Sequence, residues 1–191
     1  MTLSDDVEGD MTTTGAGPVV ECLGLDRVYN DDGVPVHALA GVDFAVTRGD
    51  FVSLAGPSGS GKSTLLNCIG GLDRPTSGRI AIGGVDLGGL SNSELADLRL
   101  HKVGFVFQSY NLIPVLSARE NVEFIMQLQG LDAGERHRRA MAMLDSLGIA
   151  ELAERRPGEL SGGQQQRVAV ARAIVSEPVP VSYTHLTLPT I

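Results

Sequence analysis

The hydrophobic pattern of the chain predicts strands first and helices later. Val42, Phe44 and Val46 alternate with polar or small residues, which is typical of a strand with one buried face. Residues 51–55 form a short apolar run that predicts another strand, and this run ends at a glycine-rich turn. Further strands are predicted at residues 79–82 and 103–107. Ordered structure is expected to begin near Val19.

Helix starts are marked by capping residues. A helix is predicted at residues 62–69, closed by Gly70 and Gly71. Three later helices begin at residue pairs with capping-box spacing: Ser117 with Glu120, Asp132 with Glu135, and Ser161 with Gln164. The last helix is predicted to run to about Ser176. Strands followed by helices, with one strand–loop–helix unit, predict an α/β core with a helical insert.

The acidic charge of the chain is concentrated near its N-terminus. The formal net charge is −8, and eight of the 23 acidic residues lie in residues 1–32, where Arg27 is the sole base. Because no basic stripe is present, we expect no nucleic acid partner. Residues 1–17 lack periodicity and are predicted to be a disordered acidic arm. They precede one predicted domain at residues 18–180.

The cysteines and the lengths of the apolar runs bear on the cellular compartment. Cys22 and Cys68 have no metal-ligand spacing, and two cysteines in 191 residues do not form a disulfide framework. A reduced, cytoplasmic location is therefore predicted. No leader pattern and no apolar run of ~18 residues is present. The chain is expected neither to cross a membrane nor to be secreted.

The strongest chemical signal is a glycine-rich segment between a predicted strand and a predicted helix. Residues 56–64, Gly-Pro-Ser-Gly-Ser-Gly-Lys-Ser-Thr, satisfy the P-loop pattern G-x-x-x-x-G-K-(S/T). Successive amides of such a loop, together with the positive end of the helix dipole, hold polyphosphate. The predicted nucleotide-binding residues are Gly56, Ser58, Gly59, Ser60, Gly61, Lys62, Ser63 and Thr64.

Two residues of this P-loop have distinct predicted roles. Lys62 is expected to reach the β- and γ-phosphates, and Ser63 is expected to ligate Mg²⁺. The alternative is an ordinary Gly/Ser turn. The chain has 13 arginines and two lysines, so a lysine at this point indicates a site that needs a compact point charge.

Two further segments follow the P-loop. Residues 160–167, Leu-Ser-Gly-Gly-Gln-Gln-Gln-Arg, resemble the signature sequence of the ABC ATPases, although the spacing also suits an ordinary helix cap. Residues 103–108, Val-Gly-Phe-Val-Phe-Gln, resemble the family's Q-loop, although Gln108 alone also fits a polar residue past a strand end. Tyr29 resembles the family's adenine-stacking aromatic residue, with packing as the alternative. The order of the motifs identifies the chain as a member of the ABC ATPases.

The resemblance covers residues 19–178 and implies a fold and a site. The implied fold is α/β, a P-loop NTPase core with an antiparallel β subdomain and a helical signature subdomain, incomplete at the C-terminus. The implied cofactors are ATP and Mg²⁺, with Gln108 as a catalytic residue and as a metal ligand beside Ser63. Two copies are expected to face head to tail, so that the signature of one contacts the ATP of the other. These signature residues are Ser161, Gly162, Gly163 and Gln164.

The segments between the motifs resemble one branch of the family. Residues 71–78 and 111–122 are similar to ATPases of the lipoprotein-release and macrolide-export type. This resemblance implies ATP hydrolysis coupled to export or lipoprotein release through a transmembrane permease, with the segment after Gln108 docking on the permease. The implied location is cytoplasmic and peripheral, at the inner face of the cell membrane.

The chain departs from the family after its last predicted helix. The family continues with an apolar strand ending in Asp-Glu, the Walker B pair, whereas this chain has no Asp or Glu after Glu177. The Asp would hold Mg²⁺, and the Glu would position or deprotonate the attacking water. We therefore expect the 191-residue chain to be inactive in hydrolysis, and its sheet to have an unpaired edge and an uncovered apolar face.

Residues 181–191 match nothing in the family and are predicted to be a non-native tail. Residues 181–190 back-translate without a break to GTC TCT TAT ACA CAT CTG ACG CTG CCG ACG, which looks like a transposon-type sequencing adapter. On this hypothesis the chain is C-terminally truncated near Pro180. Two other functions stay open: a different P-loop NTPase, and a non-hydrolysing nucleotide-binding module or regulator.

Overall fold

The computed structural model describes residues 17–31 and 34–183 of the chain. Of the predicted acidic arm at 1–17, only Gly17 lies within the described residues. Of the predicted tail at 181–191, only residues 181–183 do. The order of the arm and the origin of the tail therefore remain predictions.

A four-stranded antiparallel sheet forms one layer of the molecule. Its strands are β1 (Val20–Asp31), β2 (Val34–Val46), β3 (Ser77–Ile82) and β4 (Val85–Asp86). Their spatial order is β2-β1-β3-β4, and all neighbours are antiparallel. Val20 consequently pairs with Val46 on one side and with Ile82 on the other. The alternation of Val42, Phe44 and Val46 lies in β2, so this strand prediction is confirmed.

A separate parallel pair consists of β5 (Gly104–Val106) and β6 (Val181–Tyr183). Gly104 pairs with Val181, and Val106 pairs with Tyr183. β5 confirms the strand predicted at residues 103–107. The pairing uses backbone groups, which every extended segment carries, so it has no bearing on the origin of the tail.

The described residues contain five α-helices. They are α1 (Lys62–Ile69), α2 (Asn92–Lys102), α3 (Ala118–Leu128), α4 (Ala133–Ser146) and α5 (Gly162–Ile174). Two 3-10 turns, Ala150–Leu152 and Pro157–Glu159, precede α5. The helices α1, α3, α4 and α5 begin where the sequence predicts, whereas α2 was not predicted. Among these helices, none is both long enough and apolar enough to span a membrane.

Three helices begin with complete capping boxes. In each, the serine Oγ accepts a hydrogen bond from the backbone amide of the third helical residue. The side chain of that third residue accepts a hydrogen bond from the serine backbone amide. The pairs are Ser91 with Glu94, Ser117 with Glu120, and Ser161 with Gln164. In α4, Asp132 caps the amide of Gly134 at 2.7 Å, but Glu135 pairs with Arg138 and Arg139. The predicted box at Asp132 is therefore only half formed, because two arginines compete for Glu135.

The described residues form two large hydrophobic cores. The first packs the four-stranded sheet against α1 and α2, and includes Val20, Leu25, Leu65, Ile80, Ile82 and Leu95. The second packs α3, α4 and α5 together, and includes Val122, Met126, Leu144 and Val168. A small cluster of Val106, Ala169 and Ala173 attaches β5 to α5.

The strand predicted at residues 51–55 is absent. Residues 51–57 adopt no regular secondary structure, and Phe51 is 87% exposed. No strand among the described residues pairs with this segment. An apolar run becomes a strand only where a neighbour satisfies its backbone groups, so the prediction was wrong for this chain. A cavity of about 380 Å³ borders the segment and is lined in part by Phe44, Leu66, Val103 and Val179.

Both cysteine thiols are buried in the first core and are expected to resist alkylation. Burial raises the pKa of Cys22 to about 12 and that of Cys68 to about 11. The thiolate is the reactive form. At pH 8, iodoacetamide should therefore label the folded chain about 100-fold more slowly than the chain in denaturant, as measured by intact mass. Equal rates in the two conditions would contradict the burial.

Candidate nucleotide-binding site

A close backbone approach at Gly61 holds the P-loop against β2. Gly61 is the N-cap of α1, and its φ of 83° lies in the left-handed region. A Cβ atom at this position would run into the carbonyl oxygen of Ala38 and lie 3.2 Å from Cδ2 of Leu39. Glycine is thus required here both by the backbone angle and by the available space. The loop therefore lies directly against β2 at the point where α1 begins.

The N-terminus of α1 has no side-chain cap. In each of the other four α-helices a Ser or Asp side chain accepts a hydrogen bond from the first turn, but none does so in α1. The first amides of a helix need acceptors, and the helix dipole favours a negative one. Ser63 is exposed in this turn. The start of α1 is therefore suited to an anion.

The Lys62 ammonium lies across the P-loop. Its Nζ donates hydrogen bonds to the carbonyl oxygens of Gly56 at 2.8 Å and Pro57 at 2.7 Å, and to Ser60 Oγ at 3.1 Å. An ammonium has three donors, and all three are used within the loop. The positive charge therefore lies beside the uncapped start of α1, where it adds to the attraction for an anion.

Two charged residues fix the ring of Tyr29 in β1. The Tyr29 hydroxyl donates to Asp73 Oδ2 at 2.6 Å, and Cζ of Arg27 lies 4.3 Å from the ring centroid. Arg27 also donates to both oxygens of Asp73, from Nε at 3.0 Å and from Nη2 at 2.8 Å. One face of the Tyr29 ring is therefore covered by a guanidinium, which makes a cation–π contact.

Asp73 is the acceptor that holds this group together. Burial raises the pKa of its carboxyl. Hydrogen bonds from Tyr29 and from the Arg74 amide, together with the charge of Arg27, lower the pKa by more than burial raises it, so the pKa lies below its usual value. Asp73 is thus ionised at neutral pH and accepts from both neighbours. Sequence reasoning missed this role, since 44 residues separate Tyr29 from Asp73 and no local spacing links them.

Gln108 is exposed in a tight turn directly after β5. The amide of Tyr110 donates to the carbonyl oxygen of Phe107 at 2.9 Å, so Gln108 and Ser109 are the central residues of the turn. The predicted position past a strand end is therefore correct. The rigid neighbour of this turn is α5, which packs under β5 through Ala169 and Ala173.

The signature residues lie at the exposed N-terminus of α5. Ser161, Gly162 and Gly163 are exposed, and a Cβ atom at Gly163 would meet no atom within 4 Å. Ser161 and Gln164 form the capping box described above. No hydrogen bond of the described residues joins 161–164 to the P-loop. The chain therefore presents a loop suited to an anion and, separately, an open glycine-rich helix start.

A family model described as ABC transporter matches residues 39–179. The chain belongs to the ABC transporter family. The matched range contains the P-loop, Gln108 and the signature residues, whereas Tyr29 lies before it.

Named relatives agree with this assignment. An uncharacterized ABC transporter ATP-binding protein of Thermotoga maritima is 50% identical over 161 residues. The macrolide export ATP-binding/permease protein MacB of Azoarcus sp. is 48% identical over 166 residues, and the pyoverdine export ATP-binding/permease protein PvdT of Pseudomonas fluorescens is 49% identical over 160 residues. These alignments cover 84%, 86% and 83% of the chain, respectively.

The share of each relative that the chain spans differs. It is 69% of the Thermotoga maritima protein, 25% of MacB and 24% of PvdT. A solved dimeric structure of the ATP-binding cassette MJ0796 bound to ADP and Pi superposes with a TM-score of 0.79 at 42% identity, covering 85% of this chain and 72% of that one. The predicted fold class, an α/β P-loop NTPase core with an antiparallel β subdomain and a helical signature subdomain, is thus confirmed.

The donor groups of this ABC chain suit a phosphate ligand and a hard cation. Uncapped amides and Lys62 favour phosphate, and the Ser63 hydroxyl and the Gln108 amide supply oxygen donors of the kind that Mg²⁺ prefers. Within the described residues, no group of three or more His, Cys, Asp or Glu side chains could hold a metal ion by itself. A cation bound in this ABC site would accordingly depend on phosphate oxygens as well.

Proposed function

We propose that this chain is the ATP-binding part of an ABC transporter that serves export through a membrane permease. One observation carries the proposal: the P-loop ends in a helix start that has no side-chain cap, beside the Lys62 ammonium. That arrangement favours a polyphosphate. Relatives named for macrolide and pyoverdine export support the direction of transport.

The phosphates are proposed to lie in the P-loop. The amides of this loop and of the first turn of α1 bind the phosphates, and Lys62 moves from its carbonyl acceptors to the β- and γ-phosphates. Mg²⁺, when bound, neutralises phosphate charge, and Ser63 and Gln108 would hold it. The phosphate-binding residues proposed are Gly56, Ser58, Gly59, Ser60, Gly61, Lys62, Ser63 and Thr64.

Adenine is proposed to stack on Tyr29. Arg27 covers one ring face and Asp73 holds the hydroxyl, so the base is proposed to stack on the other face of a ring whose orientation is fixed. Stacking of a base on an aromatic ring contributes about 1–3 kcal/mol. On this proposal, Asp73 and Arg27 act on the nucleotide only through Tyr29.

The signature is proposed to act in a second copy of the chain. Two copies face head to tail, and Ser161, Gly162, Gly163 and Gln164 of one contact the ATP held by the other. The exposure of Ser161, Gly162 and Gly163 and the dimeric structure of MJ0796 support this arrangement. The segment after Gln108 docks on the permease, which places the protein at the cytoplasmic face of the membrane.

Hydrolysis is proposed to be absent from the 191-residue chain, although its family supports an ATPase function. Residues 178–191 include no Asp or Glu that could activate water. General-base catalysis typically contributes a factor of about 10²–10⁴. Only if residues 181–191 are native does this absence favour the second candidate, a nucleotide-binding module that does not hydrolyse ATP.

Equilibrium binding of ATP and of inorganic tripolyphosphate to the purified chain tests the proposal. ATP is expected to bind about tenfold more tightly, and Tyr29→Ala is expected to remove that difference. Tyr29→Phe keeps the ring and serves as the matched control. Absence of binding by both ligands would refute the nucleotide function. Phosphate release from ATP clearly above that of a Lys62→Met variant would refute the non-hydrolysing candidate.

A further inference from the structure

Arg172 is a half-buried cation with no acidic partner among the described residues. It lies in the last turn of α5, and no Asp or Glu among the described residues is within salt-bridge distance of it. Burial lowers the pKa of its guanidinium, which nevertheless stays protonated. Removing a charge from water is unfavourable unless hydrogen bonds compensate. Here the compensation comes from two backbone carbonyls.

These carbonyls belong to the turn that carries Gln108. Arg172 donates from Nη1 to the carbonyl oxygen of Asn111 at 2.7 Å and from Nη2 to that of Tyr110 at 2.8 Å. Tyr110 closes the turn around Gln108 and Ser109, as its amide bonds to Phe107. The amide of Asn111 donates to the Ser109 carbonyl oxygen at 2.6 Å. The guanidinium therefore binds the backbone of Tyr110, which closes the turn, and of Asn111, which follows it.

The two residues that Arg172 binds, Tyr110 and Asn111, have a strained backbone. Tyr110 has a φ of 58° and Asn111 a φ of 46°, both in the left-handed region. Asparagine enters this region more readily than most residues, but a bulky tyrosine rarely does. Such conformations persist only where their surroundings enforce them, and they are concentrated at functional sites. The two hydrogen bonds from Arg172 hold the backbone of these residues in this conformation.

Helix α5 also contacts the turn at its other end. The Tyr110 side chain packs against the cluster of Val106, Ala169 and Ala173. A Cβ atom at Gly162 would lie 3.8 Å from the Tyr110 hydroxyl, so this side chain reaches the first residue of α5. The helix α5 thus has the signature residues at its N-terminus and, in its last turn, the arginine that binds the Gln108 turn.

We propose that Arg172, in the last turn of α5, is a positioning residue for Gln108. This inference rests on the proposed role of Gln108 at the γ-phosphate and Mg²⁺. Arg172 itself touches neither nucleotide nor metal.

Replacement of Arg172 by lysine tests the proposal. A lysine keeps the charge but lacks the planar fork that serves two carbonyls at once. In Arg172→Lys, we expect amide hydrogen exchange at Tyr110 and Asn111 to speed up at least about tenfold, and affinity for ATP with Mg²⁺ to fall about tenfold. Affinity for ADP should stay unchanged. Gln108→Ala should cause the same selective loss, and the double variant should lose no more.

Arg138→Lys, an exposed salt-bridge arginine on α4, is the matched control and should alter neither quantity. An equal loss of ATP and ADP affinity, additive effects of Arg172→Lys and Gln108→Ala, or unfolding of Arg172→Lys would overturn the proposal in favour of a structural role. Failure of the unsubstituted chain to bind either nucleotide would instead refute the proposed function. In that case, unchanged amide exchange at Tyr110 and Asn111 in Arg172→Lys would also contradict the role of Arg172 in holding the turn.

Discussion

Replacing Lys62 by methionine is expected to weaken ATP binding by about 10- to 150-fold, because hydrogen bonds to charged groups contribute about 1.5–3 kcal/mol. Methionine keeps the length of the side chain and removes the ammonium. In the structure that ammonium already lies within the loop, on the carbonyl oxygens of Gly56 and Pro57. Isothermal titration calorimetry with ATP measures the loss.

The other lysine of the chain provides a matched control. Lys102 is exposed at the end of α2, and Lys102→Met removes the same charge outside the P-loop. It should change ATP affinity by less than about twofold, since exposed charges at a distance are screened. Similar losses in the two variants would mean that only net charge matters, which would contradict a specific role for Lys62.

Features set by neighbouring residues could be predicted from the sequence. The P-loop, α1 and the capping boxes at Ser117 and Ser161 depend on contacts within a few residues, so their spacing was sufficient. The helix α2 was missed although Ser91 and Glu94 form an equally good box. Only Leu95 and Leu98 of α2 are buried, so its apolar pattern was too weak to draw attention to the cap.

Features set by distant residues could not be predicted. Residues 51–55 have the composition of a strand, but strand formation depends on a partner that lies elsewhere in the chain. The hydrogen bond between Tyr29 and Asp73 spans 44 residues, and that between Arg172 and Tyr110 spans 62 residues. The first contact holds Tyr29, which the family resemblance had indicated, whereas the second holds Tyr110, which no motif had indicated. The motifs therefore indicated residue types along the chain, whereas these long-range contacts became visible only in the fold.

Strand β3 lies very close to β1 at Gly78, so a substitution at Gly78 is expected to have a large effect on stability. Gly78 has a φ of 89°, and a Cβ atom there would meet the carbonyl oxygen of Gly24 and lie 2.7 Å from that of Leu23. The register of β1 against β3 shifts between Leu23 and Asp26, next to this contact. Because backbone atoms cannot move aside as a flexible side chain can, Gly78→Ala combines a left-handed alanine with a clash.

Gly78→Ala is expected to lower the free energy of unfolding by about 2–5 kcal/mol, as measured by urea denaturation. Gly84→Ala separates the two contributions: Gly84 has a φ of 80° in the next turn of the same sheet, but a Cβ atom there would meet nothing within 4 Å. It should cost only about 1–2 kcal/mol, the backbone contribution alone. If the two alanine variants were equally stable, the close approach of β3 to β1 would not limit stability, and the backbone angle would explain both losses.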